Sequence, residues 1–195
     1  MKPAPFDYVA TKTVAEAVAA LARGGDDAKV LAGGQSLVPM LNMRLARPTL
    51  LVDVNDVSEL EYIRIDGAGG AGDAGALAVG ALVRQAALAR WAAERSPLLA
   101  EVFRWIGHAA IRNRGTVAGS IVHADPAAEL PAVLLACDGA VVARSARGER
   151  TVAARDLYLA PLTTSLAADE LVTDVRLTLP PRESGWGFAE VARRH

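Results

Sequence analysis

The stretch Leu31-Ala-Gly-Gly-Gln-Ser-Leu37 decides the fold of this chain, because it stands between a predicted strand and a predicted helix. Residues 29–31 predict a short buried strand, and Ser36 is placed to cap a helix that runs to residue 44. A strongly β-prone run follows at residues 50–54. Strand, helix and strand in this order predict a βαβ unit, whose ligands lie at the carboxyl ends of its strands. We call residues 31–37 the first glycine segment.

A second glycine-containing stretch, Arg114-Gly-Thr-Val-Ala-Gly-Ser120, is predicted to form a comparable turn, and we call it the second glycine segment. Both segments offer consecutive backbone N–H groups that no bulky side chain obstructs, and oriented N–H groups bind anions. One such turn is only a weak indication of a site. Two in one chain predict that an extended, phosphate-bearing ligand is held from two sides.

The rest of the chain predicts a fold of the α+β class with two lobes. Residues 1–55 form the small N-terminal βαβ lobe, which also contains a helix capped by Thr13 and Glu16. Residues 56–180 form a larger lobe with helices and a mainly antiparallel sheet. Its predicted strands cover residues 60–65, 77–80, 141–144, 151–153 and 171–179, and its predicted helices cover residues 84–95, 98–106 and 129–137.

Composition and charge argue against several classes of protein. A net charge of −1 and an aromatic content of 5% are unlike a nucleic-acid-binding surface. No apolar run is long enough to span a membrane, and the N-terminus lacks the apolar region of a signal peptide. The single cysteine, Cys137, excludes an internal disulfide and a cysteine-ligated cluster in this chain, so a cytoplasmic location is expected. The three histidines lack metal-ligand spacing, so no metal site is expected.

Two other motifs are given structural interpretations. Residues 70–75, Gly-Ala-Gly-Asp-Ala-Gly, match the letters of the dinucleotide-binding fingerprint. That motif requires a helix to begin within it, whereas a strand is predicted directly after it, so a hairpin loop is the better interpretation. Asp169 and Glu170 are expected to lie in a solvated turn before the last strand.

Longer stretches add a more specific signal, because they occur in a characteristic order through nearly the whole chain. They are Ala32-Gly-Gly-Gln-Ser36 with Leu-Val-Pro-Met-Leu-Asn-Met-Arg44, Leu51-Val-Asp-Val-Asn55, Gly80-Ala-Leu-Val-Arg84, Ile111-Arg-Asn-Arg-Gly-Thr116, His123-Ala-Asp-Pro-Ala-Ala-Glu-Leu-Pro131, Asp169-Glu-Leu-Val172 and Phe188-Ala-Glu-Val-Ala-Arg193. In these stretches the chain resembles the FAD-binding medium subunits of molybdenum hydroxylases. That family includes the medium chains of carbon monoxide dehydrogenases and the flavin domain of xanthine dehydrogenases.

The resemblance implies FAD as the cofactor, with its pyrophosphate held between the two glycine segments. It implies that Glu129 hydrogen-bonds the cofactor and that Ile106 and Val172 pack apolar surface against it. No catalytic side chain is implied, because the flavin carries the chemistry. The full set of implied cofactor-binding residues is Lys29, Val30, Leu31, Ala32, Gly33, Gly34, Gln35, Ser36, Leu37, Ile106, Thr116, Val117, Ala118, Gly119, Ser120, Glu129 and Val172.

The resemblance also implies a place in an electron-transfer complex. A small [2Fe-2S] subunit would pass electrons to FAD and an external acceptor would receive them, while a large molybdopterin-binding subunit oxidises the substrate. Two alternatives stay open. One is a stand-alone FAD oxidoreductase of the vanillyl-alcohol oxidase type, and the other is a truncated, non-catalytic assembly subunit.

The chain departs from the family pattern at several places. Ala118 stands where many relatives have glycine, which excludes the easiest positive-φ geometry in the second glycine segment. Gln35 stands where several relatives have histidine. Relatives also continue for roughly another domain. Residues 181–195 are therefore expected to begin a connection to an absent C-terminal domain, with the chain a fragment.

Overall fold

The computed structural model describes residues 2–66, 75–180 and 184–191. The strands β1 (Asp7–Ala10), β2 (Ala28–Leu31) and β3 (Leu50–Asp53) form a parallel sheet in the order β1-β3-β2. The predicted βαβ unit is confirmed by the pairing of β2 with β3, and β1 adds a further parallel strand. Sequence reasoning missed β1 because it is short and three of its four residues are exposed.

Two helices connect these strands. The helix α1 (Val14–Gly24) begins at Thr13, whose hydroxyl accepts a hydrogen bond from the Glu16 amide at 3.1 Å, as predicted. The helix α2 (Leu37–Asn42) follows the first glycine segment. It ends two residues before the predicted end, because Arg44 has a left-handed backbone with φ of 58°.

The larger lobe contains the antiparallel sheet that the sequence predicted. Its strands are β4 (Ile63–Asp66), β5 (Ala76–Gly80), β6 (Ala140–Ser145) and β7 (Gly148–Ala153), followed by the separate hairpin of β8 (Tyr158–Ala160) and β9 (Thr163–Thr164), and by β10 (Leu171–Thr178). The sheet has the order β4-β5-β10-β6-β7, and each neighbouring pair is antiparallel. The last strand in the chain is therefore the central strand of the sheet.

The helices of the larger lobe are α3 (Gln85–Arg95), α4 (Pro97–Trp105), α5 (Ala109–Arg114), α6 (Val117–His123), α7 (Glu129–Ala136) and α8 (Ala154–Leu157). The positions of α3, α4 and α7 agree with the sequence prediction within one residue at each end. Ser96 caps α4, and Pro97 occupies its first position, where a missing amide hydrogen has no cost. Short 3-10 helices cover Gly25–Asp27 and Ser58–Leu60.

One hydrophobic core joins the two sheets. The helix α1 contacts β2 and β3 on one side and β6 and β10 on the other. Its Leu21 is 1% exposed, and it belongs to the same buried cluster as Val52 of β3 and Val175 of β10. Each large aliphatic side chain buried in this way contributes about 1.5–3 kcal/mol. The shared core therefore fixes the small lobe against the larger one. None of the described helices is long and apolar enough to cross a membrane.

The predicted solvated turn at Asp169 and Glu170 differs in the structure. Asp169 and Glu170 are not simply solvated, because Arg147 pairs with Asp169 and Arg150 pairs with Glu170, whose side chain is 5% exposed. Local polarity could not reveal partners that lie 20 or more residues away. The fingerprint-like residues 70–75 lie outside the described residues apart from Gly75, as do residues 181–183 and 192–195 of the expected C-terminal connection.

Candidate functional site

The first glycine segment forms a turn between β2 and α2, as predicted. Gly34 has φ of 73°, a left-handed conformation that glycine adopts without strain. The Val38 amide closes the turn by donating to the Gly34 carbonyl at 3.0 Å, and the Gln35 side chain donates to the Gly33 carbonyl at 3.1 Å. Ser36 stands at the N-cap position of α2, but its hydroxyl accepts no capping hydrogen bond, because its backbone is helical rather than extended.

Four consecutive backbone N–H groups of this segment find no hydrogen-bond acceptor within the part of the chain that the structure describes. They belong to Gly33, Gly34, Gln35 and Ser36. Gly33 is buried, Gly34 is half-buried, and the other two are exposed, so the run leads from the interior to the surface. An unpaired buried N–H group is costly, and a run of them suits an external anion.

The second glycine segment is not the turn that the sequence predicted. It consists of the end of α5, an extended step at Gly115 and Thr116, and the first turn of α6. Thr116 caps α6 by accepting a hydrogen bond from the Gly119 amide at 3.0 Å. Gly119 is helical, so its φ does not require a glycine, and the reason for a glycine here is space. A Cβ there would lie 2.6 Å from the Thr116 hydroxyl, so the glycine makes room for the cap. Ala118 is a buried helical residue and does not loosen the segment.

Most amides of the second glycine segment already have partners. The Val117 amide donates to the Val83 carbonyl at 3.0 Å, and the Ser120 amide donates to the Thr116 carbonyl at 3.2 Å. The amides of Thr116 and Ala118 have no acceptor among the described residues. Consecutive free amides are therefore found on the first glycine segment, whereas the two unbonded amides of the second are not adjacent, so the first segment offers the greater capacity for an anion.

The two glycine segments touch each other at Gly33. A Cβ at this position would lie 2.5 Å from the Arg114 carbonyl oxygen, 2.8 Å from the Gly115 Cα and 3.0 Å from the Thr116 nitrogen. Only glycine fits such close backbone approach. The structure therefore brings together the two segments that the sequence placed 80 residues apart, and we call this contact the glycine junction.

A bridge between two polar side chains spans the glycine junction. The Arg84 guanidinium donates to the Arg114 carbonyl at 2.7 Å and to the Asn55 Oδ1 at 2.7 Å. The Asn55 Nδ2 donates in turn to the Ala32 carbonyl at 3.0 Å. Each glycine segment thus has one carbonyl held by the same pair of side chains, which we call the Arg84–Asn55 bridge.

Asp53 anchors this bridge at the carboxyl end of β3. Its Oδ1 accepts hydrogen bonds from the Asn55 amide at 2.8 Å and the Asn55 Nδ2 at 2.6 Å, and its Oδ2 accepts one from the Tyr8 hydroxyl at 2.6 Å. Burial opposes ionisation of Asp53, but the hydrogen bonds from Tyr8 and Asn55 and the charge of Arg114 outweigh it and lower the Asp53 pKa. Asp53 is therefore an ionised acceptor at neutral pH.

An open pocket of about 370 Å³ lies against the first glycine segment. Of its four polar lining residues, sequence reasoning predicted Gln35 and missed Asp53, Asn55 and Arg114, although each of these stands in a stretch that carries the family resemblance. Among the described residues, no group of three or more metal-ligating side chains could hold a metal ion. The remaining lining residues are Leu31, Ala32, Gly33, Gly34, Gln35, Val38 and Pro39.

The other residues predicted to bind the cofactor lie outside the lining of this pocket. Ile106, at the end of α4, and Val172, on β10, are buried in the shared core. Glu129 opens α7 and is half-buried, and burial, reinforced by the nearby charges of Glu190 and Asp125, raises its pKa. Contact of these residues with the cofactor stays a prediction, as it does for Lys29, Val30, Ser36, Leu37, Thr116, Val117, Ala118, Gly119 and Ser120.

Comparison with known proteins identifies the relatives of this chain. Residues 4–180 match the family described as the FAD binding domain in molybdopterin dehydrogenase. The alpha subunit of the 6-hydroxypseudooxynicotine dehydrogenase complex of Paenarthrobacter nicotinovorans is 47% identical over 197 residues, which cover 100% of this chain and 64% of the relative. The beta subunit of caffeine dehydrogenase of Pseudomonas sp. (strain CBB1) is 40% identical over 198 residues, which cover 100% of this chain and 65% of the relative.

The fold is also that of a solved relative. Carbon monoxide dehydrogenase from Hydrogenophaga pseudoflava, in a form that lacks the Mo-pyranopterin moiety, superimposes with a TM-score of 0.90 at 36% identity, covering 100% of this chain and 66% of that chain. The chain thus spans just under two thirds of the length of these relatives. FAD is the cofactor that the family match assigns to this domain. The chain belongs to the family of FAD-binding domains of molybdopterin dehydrogenases.

Proposed function

We propose that this chain is the FAD-binding part of an electron-transfer subunit in a molybdenum-containing hydroxylase or dehydrogenase complex. Electrons would arrive from the iron–sulfur clusters of a small [2Fe-2S] partner and leave to an external acceptor. The substrate would be oxidised in a large molybdopterin-binding partner. When bound, FAD supplies the redox chemistry, and the residues of this chain position it and exclude water.

The observation that carries the proposal is the run of four free amides beside the glycine junction. A diphosphate carries about two negative charges, and backbone amides can meet them without ordering long basic side chains. The amides of Gly33, Gly34, Gln35 and Ser36 would donate to the FAD pyrophosphate. The guanidinium of Arg114, which lines the same pocket, would add a positive charge. The residues present therefore fit the cofactor that the family uses.

The rest of the cofactor would extend from the glycine junction into the larger lobe. Ile106 and Val172 would pack apolar surface against it, and Glu129 would accept a hydrogen bond from it. Burial raises the pKa of Glu129 and so makes its ionised form costly. A hydroxyl donor from the cofactor would lower that cost. Lys29 and Val30 would lie just before the first glycine segment and Leu37 at its end. On the other side, the pyrophosphate would be covered by Thr116, Val117, Ala118, Gly119 and Ser120.

The proposed partners follow from the names of the relatives. One relative is a subunit of a dehydrogenase complex, and others are called medium subunits or medium chains. Their names point to different compounds, among them caffeine, nicotine and carbon monoxide. This variety supports a substrate site in another chain. We propose that the complex is cytoplasmic, in keeping with the free buried thiol of Cys137.

A visible absorption spectrum tests the cofactor. We expect the purified chain to show flavin absorption, or to acquire it after incubation with FAD and gel filtration. A preparation that stays colourless after FAD addition contradicts FAD binding and favours a non-catalytic assembly subunit.

A second experiment tests the complex. We expect the full-length protein to purify from its host with an iron–sulfur chain and a molybdopterin chain. Direct reduction of its flavin by a substrate, without any other chain, would instead favour the stand-alone oxidoreductase of the vanillyl-alcohol oxidase type.

A further inference from the structure

We propose that Arg84 and Asn55 are positioning residues that hold the two glycine segments in the arrangement that binds the FAD pyrophosphate. Asn55 lines the pocket, whereas Arg84 lies behind it and acts through Asn55 and Arg114. The inference rests on the proposed function, since it concerns how the chain prepares the site for that cofactor.

The backbone carbonyl that Asn55 holds lies next to the run of free amides. Asn55 binds the Ala32 carbonyl, which belongs to the same planar peptide unit as the Gly33 amide. In a trans peptide the C=O and N–H groups point in opposite directions. By holding the Ala32 carbonyl, Asn55 therefore fixes the direction of the first of the four free amides. The same hydrogen bond directs the negatively polarised Ala32 carbonyl oxygen toward the Asn55 side chain and away from a bound anion.

The bridge couples both glycine segments through one rigid group. The planar guanidinium of Arg84 donates in two directions, to the Arg114 carbonyl and to Asn55. The backbone of Arg84 is also held against the second glycine segment, because it forms an isolated antiparallel bridge with Thr116. A movement of either segment would break at least one of these hydrogen bonds. The separation at Gly33 is thereby held fixed before the cofactor binds.

The charge around Arg84 also favours an anionic ligand. Arg84 is half-buried, and both of its hydrogen-bond acceptors are neutral. No carboxylate among the described residues forms an ion pair with it. Burial and the neighbouring Arg114 charge lower its pKa, with only partial relief from Glu61 and Asp53. The site therefore holds two adjacent cations and the Asp53 carboxylate, which leaves a net positive charge that an added dianion would complement.

The test compares FAD affinity with the stability of the cofactor-free protein. The variants are Arg84→Gln, Arg84→Lys and Asn55→Ala, and Arg150→Gln is the matched control, because Arg150 also binds one side chain and one carbonyl but lies on β7. We expect each bridge variant to weaken FAD binding about tenfold or more, while the control keeps wild-type affinity. The thermal midpoint of each cofactor-free variant should fall no further than that of the control.

The pattern among the variants separates positioning from other roles. Arg84→Lys keeps the charge but not the planar fork, so wild-type FAD affinity in this variant would overturn the proposal in favour of charge alone. The double variant that combines Arg84→Gln with Asn55→Ala should bind FAD no more weakly than the weaker-binding of the two single variants, because both substitutions remove the same bridge. A fall in thermal midpoint with unchanged FAD affinity would show a merely structural role. Failure of the wild-type chain to bind FAD contradicts the proposed function instead, and it is seen before any variant is compared.

Discussion

Replacement of Gly33 by alanine should separate the two glycine segments and weaken FAD binding. The added Cβ would lie 2.5 Å from the Arg114 carbonyl oxygen, where ordinary contact begins at 3.4 Å. The two backbones must therefore part by about 1 Å. A shift of that size would stretch the 2.7 Å hydrogen bonds of the Arg84–Asn55 bridge beyond hydrogen-bond length.

The size of the effect follows from the cost of closing the junction again. Forcing one extra carbon into a packed site costs about 1–3 kcal/mol. The cofactor-free protein can relax by opening at the junction, whereas FAD binding would require both segments to return. The cost should therefore be found mainly in binding, as a dissociation constant raised roughly tenfold to hundredfold.

Calorimetric titration of FAD into the cofactor-free protein measures this change. Gly187→Ala is the control, because a Cβ at that glycine has no neighbour within 4 Å and its φ lies outside the left-handed region. The control should bind FAD as tightly as the wild type. If Gly33→Ala also binds FAD with wild-type affinity, the two segments do not need their close approach, and the reasoning is refuted.

Further predictions concern single side chains around the site. Gly34→Ala and Gly25→Ala both place an L residue at positive φ, and each should lose about 1 kcal/mol of stability. Only Gly34→Ala should lose FAD affinity, and equal FAD affinities of the two variants in calorimetry would contradict this. Thr116→Val removes the cap of α6 and should lower the free energy of unfolding by about 1 kcal/mol in urea titrations, and an unchanged midpoint would show that the cap is dispensable. Burial raises the folded-state pKa of Glu129, so its ionisation reduces stability as pH rises through and above its unfolded-state pKa of about 4.3. Glu129→Gln should therefore melt at a higher temperature than the wild type at pH 7 but not below about pH 4, and a pH-independent difference in melting temperature would rule out this cause. The buried thiol of Cys137 should react with a thiol reagent only after unfolding; rapid reaction of the folded protein would mean that the helix end around it opens.

The sequence predicts the βαβ unit and most helices because their signals are local. Thr13 with Glu16 is a short pattern whose partners lie within one helical turn, and Pro97 is a local signal for the start of α4. The strand β1 carries no such signal, since it is exposed on most positions and gains its order from pairing with β3. Its partner lies more than 40 residues away.

The second glycine segment shows where local reasoning misleads. The glycines around Thr116 suggested a turn, whereas the threonine hydroxyl and Gly119 together start a helix. The sequence predicts only that the two glycine segments bind one ligand, and it does not predict their direct contact at Gly33. The sequence does not predict the Arg84–Asn55 bridge, because its two residues are 29 positions apart and each is a common polar residue. Only the three-dimensional arrangement shows that both side chains hold carbonyls of the glycine segments.

Amide hydrogen exchange, measured with and without FAD, tests whether the free amides of the first glycine segment bind the cofactor. The amides of Gly33, Gly34, Gln35 and Ser36 have no acceptor among the described residues, whereas those of Val117, Gly119 and Ser120 are already bonded. The account predicts that the four amides exchange rapidly in the cofactor-free protein and become strongly protected when FAD binds. FAD binding that leaves these four amides exchanging at their cofactor-free rates would contradict it.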